Sequence, residues 1–136
     1  MDAIALLCEK LEERGDLDWS RRAQTVLIAA PVEEGFSVTL EKSCPEDFAS
    51  DPYTVYLGDS GFHMHLASAE EALECVAWCF SGEARLVETV RGAVISARLE
   101  MLQDGAWEPI EDWASIGLFW RRKATRQLRN PNLLRF

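Results

Sequence analysis

The chain has 136 residues, of which 48% are hydrophobic and 27% charged. Those proportions suit one globular domain that buries its own core, and they exclude a largely disordered chain. The net charge of −9 is lopsided: residues 1–120 hold all 23 acids and 8 of the 14 Lys/Arg, a formal −15, while 121–136 hold six bases and no acid. An acidic body repels nucleic acid and anionic membrane and favours basic partners.

Residues 2–14 form an amphipathic helix in which Ile4, Leu7 and Leu11 recur on one face, with Cys8 beside them. Asp2 suits its start and Gly15 its stop. This opening has acids and a helical period, not a basic stretch before an apolar run, so it does not read as a signal peptide. No apolar stretch reaches bilayer length. The cytoplasm is the expected compartment, with Cys8, Cys44, Cys75 and Cys79 reduced.

Residues 16–23 fit either a loop or a short helical piece. Residues 24–30 are strand-like, and 36–41 alternate with Phe36, Val38 and Leu40 on one face, so the two make a hairpin. The Pro-rich stretch 43–52 is a loop. Residues 53–57 and 62–66 flank the turn Gly58-Asp59-Ser60-Gly61 as a second hairpin.

Ser68 followed by Glu71 matches a capping box, which predicts a helix over about 69–81 with Gly82 as its C-terminal cap. Residues 84–90 and 93–102 alternate as strands around Arg91-Gly92. Asp104-Gly105 is a type I′ turn dipeptide, and 106–111 returns as a strand that Pro109 confines to a sheet edge. Trp120, Ala124 and Leu128 are spaced for one helix face, which predicts a helix over 118–128 before Asn130-Pro131. The fold class is therefore α+β: a mostly antiparallel sheet of six or seven strands in hairpins, the 69–81 helix on one face, and helices at both ends. Residues 1–120 form the acidic domain. Residues 121–136 form a basic arm, packed on its own body or on a neighbouring chain.

Both histidines lie in GFHMHL. His63 and His65 share one side of a strand, and Cys75 and Cys79 share one helix face, so the donor types of a Cys2His2 zinc site are present. The pleat opposes it. Phe62, Met64 and Leu66 take the apolar side, where the following helix packs, so the histidines face away from both cysteines. The Cys-x-x-x-Cys spacing is also not the usual Cys-x-x-Cys. A two-histidine metal site completed by a carboxylate such as Asp59 is a similarly weak variant. No metal or other cofactor is expected.

No nucleophile elbow, phosphate loop or dinucleotide fingerprint occurs. No cysteine sits at a helix N-terminus, where a thiolate gains stability, and Cys44 before Pro45 is merely placed to be accessible. The sequence-adjacent carboxylates Glu33-Glu34, Glu46-Asp47, Glu70-Glu71 and Glu111-Asp112 read as solvated surface, with Glu71 engaged in capping.

The C-terminal stretch mixes Phe119 and Trp120 with Arg121, Arg122, Lys123, Arg126 and Arg129. It suits nucleic acid in chemistry, but the acidic body opposes that ligand. Trp120 and Phe136 could also anchor the arm on a second copy, giving a dimer. The expected function is a non-catalytic protein-binding or accessory module with an acidic surface for a basic partner. The alternatives are a metal-binding or hydrolase-like protein centred on His63/His65, and nucleic-acid contact through the arm.

Overall fold

A computed structural model describes residues 2–43, 51–114 and 124–134. The described elements run α1 (Ala3–Arg14), β1 (Trp19–Arg22), β2 (Thr25–Ile28), β3 (Val38–Lys42), β4 (Tyr53–Leu57), β5 (His63–Leu66), α2 (Ala69–Cys79), β6 (Ala84–Arg91), β7 (Ala93–Gln103), β8 (Ala106–Ala114) and β9 (Ala124–Arg129).

Local chemistry sets the helix ends. The Asp2 side chain accepts from the Ile4 N–H, and the Gly15 N–H closes α1 by donating to the Leu11 carbonyl. At α2, Ser68 accepts from the Glu71 N–H, as a capping box requires. The return bond differs by one residue: Glu71 Oε2 accepts from the Ala67 N–H. The helix ends at Cys79 with Phe80 as its cap, two residues before the expected Gly82. The Ser81 hydroxyl donates to the Trp78 carbonyl at 2.6 Å, beside the Ser81 N–H at 3.1 Å, and the two bonds tighten that end.

The strands form two antiparallel sheets, not one. Five pair in the order β1-β2-β3-β4-β5 and four in the order β8-β7-β6-β9. Both helices pack on the first sheet, and α2 also touches β6. Val26, Ile28, Val38, Leu40, Val55 and Leu57 face the helices, where Ile4, Leu7, Leu11, Val76 and Phe80 complete the core. Leu86 and Leu99, paired across β6 and β7, extend it into the second sheet. The Asp104-Gly105 turn joins β7 to β8 with φ of 50° and 80°, and Pro109 lies on β8, an edge strand.

Two expectations are corrected. Residues 19–22 are strand β1, paired with β2. Residues 124–129 are strand β9, antiparallel to β6, with Leu128 opposite Leu86. A helix from 118 to 128 is therefore ruled out over 124–128, while 118–123 lie outside the described residues, as do residues 44–50 of the 43–52 loop. The i, i+4 spacing of Ala124 and Leu128 is also an even spacing. In a strand it keeps both residues, and Arg126 between them, on one face. Pairing with the central strand β6 decides in favour of strand.

Candidate functional site

The histidines and cysteines do not converge. Met64 and Leu66 of β5 pack towards the core and α2, while His63 and His65 are exposed on the opposite face of the sheet. There they form a row with Tyr56 and Thr54. The ring centroids of His63 and His65 lie 5.1 Å apart, and His63 and Tyr56 5.3 Å apart. His65 Nδ1 lies 3.2 Å from the Thr54 hydroxyl. His63 Nδ1 lies 2.8 Å from the Gly61 carbonyl, which can only accept, so that nitrogen carries its proton.

Cys75 and Cys79 lie on the other side of the sheet, Cys79 fully buried in the core. Its thiol donates to Cys75. That bond and burial raise the Cys79 pKa well above the usual thiol value, while accepting the bond lowers that of Cys75. The sheet thus separates the two halves of the Cys2His2 set, and no group of three His, Cys, Asp or Glu side chains converges for a metal among the described residues. Cys44 lies outside them.

Of the basic residues of the arm, Arg126 and Arg129 are described, and both contact their own chain. Arg129 Nε donates to the Gly82 carbonyl at 2.6 Å. Its guanidinium lies 5.1 Å from the centroid of Trp107, and that of Arg85 lies 4.5 Å from the same ring. Arg85 also pairs with Glu100 at 2.5 Å. Phe119, Trp120, Arg121, Arg122, Lys123 and Phe136 lie outside the described residues.

Arg126 leads to a buried carboxylate, Glu88. Its Nε and Nη2 lie 2.7 and 2.6 Å from Glu88 Oε1. The Glu88 side chain is 1% exposed, that of Arg126 50%. Glu88 is buried because β6 alternates Ala84, Leu86 and Glu88 towards the core. Its other oxygen, Oε2, is buried and has no hydrogen-bond partner among the described residues. A buried carboxylate oxygen left unmatched is costly, so it calls for a donor.

Glu88 and Arg126 line a cleft of about 420 Å3 where the two sheets meet. Gly58, Leu27 and Leu128 contribute to its walls, with the exposed carboxylates Glu33 and Asp59 also lining it. Gly58 has φ +69°, and a Cβ there would stand 3.3 Å from Glu88 Oε2 and 3.0 Å from Leu86. Glycine therefore meets both the turn and the close approach to the carboxylate. Among the described residues, three carboxylates and one guanidinium line the cleft, a net negative set. It suits a cation with an apolar stem.

The sequence drew attention to Arg126 as part of the basic arm and to Asp59 as a possible metal ligand, but not to Glu88 or to the cleft they share. The available signal was an acid in the apolar register of ARLVETV, at the same parity as Ala84 and Leu86. No protein-family model, curated protein or solved structure matches the chain.

Proposed function

We propose that the protein is a non-catalytic binding module whose acidic body engages a basic protein partner, in an accessory role. One observation carries this reading: among the described residues, Glu33, Asp59 and Glu88 line one cleft in which Arg126 is the only cation, and one buried carboxylate oxygen is unmatched. The arm's Arg126 and Arg129 are already engaged within the chain, so attraction for a basic partner comes from the acidic body as it stands. Among the described residues no helix is long and apolar enough to cross a membrane. Free thiols at Cys8, Cys75 and Cys79 suit a cytoplasmic setting.

The test is fluorescence anisotropy with two labelled peptides of equal length, one rich in Lys and Arg and one rich in Glu and Asp. The basic peptide binds saturably, and binding weakens as salt rises. Equal binding of both peptides, or binding of neither, defeats the reading.

A further inference from the structure

We infer that the cleft floored by Glu88 is a binding site for a primary alkylammonium group, the head of a lysine side chain or of a free aliphatic amine. The inference deepens the basic-partner reading and rests on it for the protein source of that amine.

The argument starts from the two oxygens of one carboxylate. Oε1 is occupied by two nitrogens of Arg126, and Oε2 is buried without a partner among the described residues. The missing interaction calls for a donor, and a charged donor gains most in a site shielded from water. The carboxylates of Glu33 and Asp59, exposed and lining the same cleft, add attraction for a cation. Leu27 and Leu128 offer apolar surface to a methylene stem.

The same geometry selects between cations. A guanidinium binds best as a fork across both oxygens of a carboxylate, and Arg126 already blocks one of them. An ammonium is compact, and its three donors rotate freely, so one oxygen suffices. Gly58 keeps space beside Oε2, since a Cβ there would stand 3.3 Å from it. The Arg126 side chain is half exposed and holds only Oε1, which leaves Oε2 free of that guanidinium.

Two-dimensional amide NMR of the full chain, titrated with n-butylammonium, Nα-acetyl-lysine methylamide and Nα-acetyl-arginine methylamide, tests the site. The expected result is saturable shifts at Ser37, Gly58 and Asp59, with the lysine derivative binding more tightly than the arginine derivative. Glu88→Gln weakens ammonium binding about tenfold or more, as loss of a buried charged acceptor does. The double variant Glu33→Gln/Asp59→Asn weakens it with an unchanged spectrum elsewhere, because both residues are exposed. If Glu88→Gln does not fold, this double variant decides alone.

No saturable binding of either ammonium probe overturns the inference. So does unchanged affinity in a folded Glu88→Gln protein, or in the rim double variant. A lysine-bearing peptide that binds more tightly than n-butylammonium assigns the amine to a protein, and equal affinity assigns it to a free amine. Failure of the site leaves a distinct signature from failure of the broader reading. In the first case basic peptides still bind, indifferent to Glu88→Gln. In the second, n-butylammonium binds and basic peptides do not.

Discussion

Asn130 holds Phe36 by both of its backbone groups: Oδ1 accepts from the Phe36 N–H at 2.8 Å, and Nδ2 donates to the Phe36 carbonyl at 2.9 Å. The same Nδ2 reaches the Cys79 carbonyl at 3.2 Å. One fully buried amide thus joins the end of β9, the segment before β3 and the last turn of α2. Asn130→Ala leaves three buried backbone groups unmatched. The expected loss is roughly 2–4 kcal/mol, since each such group costs about 1–3 kcal/mol before relaxation. Urea unfolding measures it, and a loss under about 1 kcal/mol contradicts this role.

Gly35 completes that joint by having no side chain. A Cβ at Gly35 would fall 2.4 Å from Asn130 Oδ1. Gly35→Ala therefore displaces the amide from Phe36 and destabilises the fold by about 1–3 kcal/mol. The decisive measurement is a double-mutant cycle. In an Asn130→Ala background the alanine at 35 meets no amide, so its cost falls. Additive costs would show that the two residues act independently.

Glu88 and Arg126 make a pair with unequal burial. Removing the guanidinium leaves a buried carboxylate uncompensated, whereas neutralising both partners removes the charge itself. Arg126→Ala is expected to cost roughly 1–3 kcal/mol, held down because water replaces part of a half-exposed group. Adding Glu88→Gln to Arg126→Ala recovers part of that loss. Thermal or urea unfolding of the two variants and the parent chain orders them, and a double variant less stable than Arg126→Ala refutes the account.

Much of this fold was legible in local pattern, and what was not depended on partners distant in sequence. The alternation in FSVTLE, YTVYL and the 84–102 meander, the Asp-Gly turn and the Ser68 box each carry their own physical signal. WSRR has one apolar residue and no alternation to read, so β1 is visible only through its pairing with β2. The spacing of Ala124 and Leu128 satisfies helix and strand alike, and β6, over 30 residues away, settles it. The split into two sheets likewise depends on which strands pair. For GFHMHL the pleat was informative: Met64 and Leu66 face the core and the histidines do not. The cleft was hidden for the opposite reason. Carboxylates adjacent in sequence drew attention, while Glu33, Asp59 and Glu88 meet only in three dimensions.

The thiols differ in reactivity by their environments. Cys75 is partly exposed, and the bond it accepts from Cys79 lowers its pKa, so its thiolate fraction at pH 8 exceeds that of an ordinary thiol. Burial raises Cys8, and burial together with donation raises Cys79, so both have smaller thiolate fractions at that pH. Iodoacetamide at pH 8 is expected to label Cys75 ahead of Cys8 and Cys79, by peptide-resolved mass spectrometry. Raising the pH narrows the gap, because Cys75 nears full ionisation first. Labelling of Cys79 before Cys75 would reverse the assignment of donor and acceptor.

Deleting residues 121–136 removes more than a basic arm. It takes away β9, which pairs with β6 along six residues, and with it the Arg126 partner of Glu88. It also removes Asn130 and its bonds to Phe36 and Cys79, and the Leu133 carbonyl that accepts from Arg14 of α1 at 2.5 Å. Glu88 is left as a buried charge on an unpaired strand edge, which favours local opening and edge-to-edge association. The truncated chain is expected to lose cooperative unfolding and its protected β6 amides, as read by calorimetry and hydrogen exchange. Deleting only Arg135 and Phe136 spares all of these contacts and serves as the control. A truncated chain that still unfolds cooperatively near the full-length midpoint would show that β9 is an accessory to the second sheet and not one of its structural strands.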